Sequence, residues 1–172
     1  MNIPNIVTLF RMFLVPTFIL VFFSDINNHI FYSIVIFLMA GFTDVLDGYI
    51  ARKHDLVTKW GIVLDPLADK LMLLTVLSCL AIDYIIPFWI LIIVAIKELA
   101  MIIAGAILYN KDFIIPSNKF GKMATFMFYF AIFTLNFNIK LGGYLLDAAV
   151  LSAIIAFVNY CLFYLDQKNI KQ

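Results

Sequence analysis

Six long apolar runs, at roughly 6–23, 30–50, 61–82, 85–109, 121–137 and 144–165, leave this chain few folds to choose from. Each is close to the ~20 residues that carry a helix across the hydrocarbon of a bilayer. Backbone N–H and C=O groups in hydrocarbon must bond within the chain, which allows only helices or closed barrels. Barrel strands alternate with a period of two residues, and no such alternation is present. Short polar breaks such as Ser24-Asp25-Ile26-Asn27-Asn28 and Asn110-Lys111-Asp112 join the runs. The expected fold is all-α integral membrane, with six transmembrane helices and an N-terminal interfacial segment. With no linker or low-complexity stretch, residues 1–172 are expected to form a single membrane domain.

Composition supports the same solvent. The chain is 65% hydrophobic and 13% charged, and its mean hydropathy is +1.03, too apolar for a water-soluble domain of this size. A net charge of +1 offers no footing for nucleic acid. Cys79 and Cys161 lie inside apolar runs, without partners at zinc spacing, and read as packing residues. The start carries no basic segment followed by a small-residue cleavage site, so no removable signal peptide is expected. The stretch Met1 to Arg11 mixes polar and apolar residues and is expected to lie along the interface before helix one turns inward.

Basic residues orient the bundle. Arg52, Lys53 and Lys59 lie between helices two and three, Lys111, Lys119 and Lys122 between four and five, and Lys168 and Lys171 in the tail. Only Lys140 falls in the opposite loops. The positive-inside bias places both termini and the loop around residue 55 in the cytoplasm, in a multi-pass protein of the cell membrane.

Against that background four aspartates stand out: Asp44 and Asp47 in the second run, Asp65 and Asp69 in the third. An Asp at the bilayer centre costs about 2.5–3.5 kcal/mol on insertion scales, so four together require positive charge among them. Asp44, Asp47 and Gly48 share one helix face, with Arg52 further along the same stripe. Gly61, Asp65 and Asp69 recur every fourth residue and share another. The short connection between the runs makes the two helices antiparallel neighbours whose acidic faces can meet. At about 1.5 Å per residue, Asp47 lies roughly 8 Å along the helix from Arg52, a depth that suits a phospholipid head group. Clustered oxygen donors favour hard divalent cations, Mg²⁺ or Mn²⁺, over zinc. Two such ions could clamp a diphosphate. Gly48 and Gly61 clear space where a nucleotide or the facing helix must approach the backbone, and Pro66 should bend helix three. From the acids alone, a carboxylate-lined ion transporter is an equal alternative.

These residues complete Asp-x₂-Asp-Gly-x₂-Ala-Arg-x₈-Gly-x₃-Asp-x₃-Asp from Asp44 to Asp69, eight fixed positions over 26 residues. The pattern resembles the signature of the CDP-alcohol phosphatidyltransferase family, and the six-helix layout extends the resemblance over nearly the whole chain. An ion path would not require the ordered glycines, Ala51 and Arg52. The resemblance implies that Asp44, Asp47, Asp65 and Asp69 bind two divalent metal ions. Asp69 would also act as the general base toward the acceptor hydroxyl, and Gly48, Ala51, Arg52 and Gly61 would line the site for CDP-diacylglycerol. It further implies a homodimer; the residues themselves carry no dimer motif.

The acceptor is a finer question. The start Asn2-Ile3-Pro4-Asn5-Ile6-Val7-Thr8-Leu9-Phe10-Arg11, followed by Pro16, resembles the bacterial phosphatidylglycerophosphate synthase branch, which joins CDP-diacylglycerol to sn-glycerol 3-phosphate. A phosphorylated acceptor calls for basic residues, and the candidates are Lys97, Lys119 and Lys122, with Asn5 and Thr8 at the interface. Each lysine has a plainer reading: an internal pair of Lys97 with Glu98, or positive-inside anchors at Lys119 and Lys122. The branch often carries Gly-Lys-x-Lys-Thr, whereas this chain has Gly121-Lys122-Met123-Ala124-Thr125. The alternative is a cardiolipin synthase of the same superfamily, with phosphatidylglycerol as acceptor.

Overall fold

The computed structural model describes the backbone of residues 3–53, 59–109 and 119–170, and the side chains of 6–46, 48, 64, 67–103, 121 and 123–162. Within these residues it contains six α-helices and no strand: α1 Ile3–Phe22, α2 His29–Lys53, α3 Lys59–Ile82, α4 Phe88–Tyr109, α5 Lys119–Leu135 and α6 Ile139–Ile170. They form two compact units of three helices, Met1–Ile86 and Pro87–Gln172.

In the first unit α1 packs against both α2 and α3. Its buried face is one stripe at three- and four-residue spacing: Thr8, Arg11, Leu14, Phe18 and Phe22. The stripe is polar at the N-terminal end and aromatic at the other. Ile34, Phe37 and Ala40 of α2 and Ala68, Met72, Val76 and Leu80 of α3 complete the core. The turn after α1 is closed by His29, whose Nδ1–H donates to the Phe22 carbonyl at 2.6 Å. That bond satisfies one of the carbonyls left over at the helix end. Asn28 precedes it at φ 61°, a conformation Asn tolerates better than most residues.

The N-terminal stretch is not a separate segment. α1 runs without interruption from Ile3 through Arg11 to Phe22, and Thr8 and Arg11 lie on its buried stripe.

Two other boundaries differ from the hydropathy reading. α3 ends in a Schellman motif: Ile85 N–H donates to Leu80 C=O at 2.9 Å and Tyr84 N–H to Ala81 C=O at 3.2 Å. Tyr84, at φ 57°, occupies the left-handed position usually held by Gly. This motif and Pro87 delay α4 to Phe88 although the apolar run begins at 85. α6 starts early, since Asn138 Oδ1 accepts the Leu141 N–H at 3.1 Å as an N-cap. Gly142 and Gly143 therefore lie inside a helix.

In the second unit α6 packs against α5 and α4. Its buried stripe is rich in small residues, Ala149, Ala153 and Ala156, with Leu146 and Val150. Gly142 continues the close approach: a Cβ there would lie 2.8 Å from Leu135 Cα and 2.7 Å from its Cγ.

Large apolar side chains remain exposed on most helices, including Phe13, Leu20, Phe42, Val45, Phe126 and Leu151. Water is a poor solvent for a surface of this kind. Among the described residues, two helices contain spans long and apolar enough to cross a membrane, His29–Leu46 and Ile139–Leu162.

Candidate active site

The polar end of the first unit gathers charge from all three of its helices. Arg11 follows Thr8 by three residues on the α1 stripe, and both are buried. Asp44 lies four residues beyond Ala40, at the end of the buried face of α2, and Asp69 immediately follows Ala68 on α3. Helical periodicity carries each charge to the same level.

There Arg11 Nη1 donates to Asp44 Oδ1 at 2.7 Å and to Asp69 Oδ1 at 2.9 Å. One guanidinium nitrogen thus joins two carboxylates that are 25 residues apart along the chain. These are charge-assisted bonds, roughly twice as strong as neutral ones. Arg11 has no solvent exposure, whereas each aspartate side chain retains 35%. The cation lies beneath the carboxylates and the carboxylates are the accessible part of the cluster. A guanidinium this deep is tolerable only because anions meet it.

The donor chemistry fits a divalent cation. Two carboxylates from different helices supply oxygen donors of the kind a hard divalent cation takes, although the described residues include no group of three or more metal-binding side chains. The side chains of Asp47 and Asp65 lie outside the described residues, as do those of Ala51, Arg52, Lys119, Lys122 and Asn5 and the surroundings of Gly61. Their backbones place Asp47, Gly48, Ala51 and Arg52 in the last turns of α2, Gly61 and Asp65 in the first turns of α3, Asn5 at the start of α1, and Lys119 and Lys122 at the start of α5. Gly48 is half-buried.

Lys97 belongs to the second unit and is already engaged. Its Nζ donates to Glu98 Oε1 at 2.6 Å, with the two side chains 17% and 8% exposed. Adjacent helix positions do not normally face each other, but both side chains are long enough to turn back. Glu98 continues the buried stripe Ile90, Val94. Ala124, where the branch often has a lysine, is buried on the α5 stripe with Phe128, Ala131 and Leu135. An alanine suits that stripe on packing grounds.

Arg11, at the end of the N-terminal stretch, is not among the candidate site residues expected from the sequence, yet it joins the cluster. Its signal was present: a lone Arg between Phe10 and Met12 needs an anion, and the apolar runs contain an excess of aspartates.

The chain matches the family model for CDP-alcohol phosphatidyltransferase over residues 1–162. It is 35% identical to the CDP-diacylglycerol–glycerol-3-phosphate 3-phosphatidyltransferase of Wigglesworthia glossinidia brevipalpis, over 95% of this chain and 93% of the relative. The protein of the same name from Bacillus subtilis (strain 168) is 32% identical over 72% of this chain and 70% of its own. A probable phosphatidylglycerophosphate synthase of Mycobacterium tuberculosis (strain ATCC 25618 / H37Rv) is 31% identical over 92% of this chain and 79% of its own.

Proposed function

The chain belongs to the CDP-alcohol phosphatidyltransferase family, and from that premise we propose that it transfers the phosphatidyl group of CDP-diacylglycerol to sn-glycerol 3-phosphate, giving phosphatidylglycerophosphate and CMP. The observation that carries the site assignment is the convergence of Asp44 and Asp69, the two ends of the family signature, on Arg11. The choice of acceptor rests on the names of the relatives, which specify glycerol 3-phosphate.

The family is generally dependent on a divalent metal, and Asp44, Asp47, Asp65 and Asp69 are the residues that would hold Mg²⁺ or Mn²⁺ here. Bound there, the metal supplies Lewis-acid stabilisation of the negative charge on the diphosphate. The chain's own residues do the rest. Asp69 accepts the proton of the acceptor hydroxyl, whose oxygen forms a bond to the lipid-side phosphorus as the bond from that phosphorus to CMP breaks. Gly48, Ala51, Arg52 and Gly61 form the donor pocket on the last turns of α2 and the first turn of α3. Lys97, Lys119, Lys122, Asn5 and Thr8 are each candidates for contact with the phosphorylated acceptor.

Members of the family are typically membrane-bound. We place this chain in the cell membrane as one six-span domain working as a homodimer, with both termini and the site at the cytoplasmic face. The exposed apolar side chains and the bias of Lys and Arg support this placement.

Purified protein given CDP-diacylglycerol with labelled sn-glycerol 3-phosphate or with phosphatidylglycerol tests the reading. Labelled phosphatidylglycerophosphate and CMP are expected from the first pair. A product formed only with phosphatidylglycerol would make the chain a cardiolipin synthase, and CMP release that survives Asp69→Asn unchanged would remove Asp69 as the general base.

A further inference from the structure

We infer that Arg11 is the internal counter-ion of Asp44 and Asp69: it ties the two carboxylates together and opposes a divalent cation that draws on the same oxygens. The inference rests on the reading of these two aspartates as metal ligands and adds a residue that sets how tightly they bind.

The geometry is specific. Both carboxylates use Oδ1 toward the same Nη1, at 2.7 and 2.9 Å, so their oxygens can be no farther apart than the two bonds laid end to end. Without a cation between them, two carboxylates at that separation repel. With Arg11 they are compensated, and α2 and α3 are tied through α1. A guanidinium stays charged at any pH the protein meets, so the compensation does not depend on a proton. Its complete burial means that solvent and salt screen it little.

A charge fixed in this way acts on whatever else binds the same oxygens. Arg11 and a dication draw on the same anions and repel each other, so the coupling between them is unfavourable and reciprocal. Removing the guanidinium should destabilise the metal-free protein and tighten its hold on metal. A residue that merely fills space would do the first without the second. A residue that aligns the ligands for metal would do the first and weaken metal binding.

The test uses the full chain purified in detergent, with Mn²⁺ as the probe. Thermal unfolding is followed in EDTA and in excess Mn²⁺, and Mn²⁺ binding is measured by electron paramagnetic resonance. In EDTA, Arg11→Met should unfold about 10 °C below wild type, as expected for loss of one partner of a buried ion cluster in a protein of this size. In excess Mn²⁺ the gap to wild type should narrow by about 4 °C, the counterpart of a dissociation constant about tenfold lower than that of wild type. Arg11→Lys keeps the charge and should bind Mn²⁺ as wild type does. If Arg11→Met does not fold in EDTA, Arg11→Met/Asp44→Asn decides. It removes one charge of each sign and should recover a metal-free unfolding transition; failure to recover one overturns the inference. Equal or weaker Mn²⁺ binding by Arg11→Met also overturns it. If wild type binds Mn²⁺ and releases CMP while Arg11→Met binds no tighter, only the role of Arg11 falls. If wild type binds no Mn²⁺ at all, the metal-ligand reading falls with it.

Discussion

Both three-helix units bury charge, but by opposite means. In the first, Arg11 reaches Asp44 and Asp69 across 33 and 58 residues, and three helices must be in place before the cluster is complete. In the second, Lys97 meets Glu98, its immediate neighbour, and a single helix supplies both partners. A local pair can form as soon as the helix does and says little about the fold around it. A cluster assembled from distant residues exists only in the folded unit. Apolar residues could have packed there instead, and that cost is what supports the proposed site.

Packing divides along the same line. The first unit fills its core with aromatic side chains, Phe18, Phe22 and Phe37, with Phe18 and Phe22 stacked at 5.7 Å. The second brings α5 and α6 together on Gly142 and a stripe of alanines. Wide cores leave room for a polar site at one end, whereas close helix approach depends on the absence of side chains.

The largest effect expected from breaking this contrast is at Asp69. Asp69→Asn keeps the side-chain shape and a partner for Arg11 but loses the base, and CMP release should fall by about 10²–10⁴-fold in a steady-state assay. Next is the close contact of the second unit. Gly142→Val should destabilise by about 1–3 kcal/mol in thermal unfolding, because its Cβ would press on the Leu135 backbone. At the adjacent Gly143 a Cβ meets nothing within 4 Å. Gly143→Ala should therefore stabilise by about 0.5–1 kcal/mol through helix propensity alone. Opposite signs at neighbouring positions would locate the contact.

Lys97→Met asks whether the local pair has a second use. If Lys97 leaves Glu98 for the acceptor phosphate, KM for sn-glycerol 3-phosphate should rise about tenfold, the scale of one charge-assisted hydrogen bond. KM for CDP-diacylglycerol should not change, and an unchanged KM for both would confine Lys97 to its pair. The smallest effect lies outside both cores. Tyr84→Gly relieves a left-handed tyrosine and should stabilise by about 1 kcal/mol, offset partly by the freer unfolded chain. A lower unfolding midpoint would show that the ring makes contacts worth more than that strain.

Much of this protein could be read from residue order alone. Apolar runs in a chain with so few charges specified helices, because hydrocarbon leaves the backbone no other partner. The spacing of Asp44, Asp47, Asp65 and Asp69 puts each pair on one helical face, and the signature they complete is that of the family whose model matches residues 1–162. Boundaries were less legible where a single hydrogen bond decides them, as at Asn138 and Tyr84, since hydropathy does not register a cap. The continuity of the N-terminal stretch with helix one was hidden for a related reason: the buried stripe to which Thr8 and Arg11 belong is set by other helices. That four anions needed a cation followed from electrostatics within the sequence. Which residue of this chain supplies one was decided only by the tertiary structure, because a bond between Arg11 and residues 33 and 58 positions away leaves no periodicity to detect.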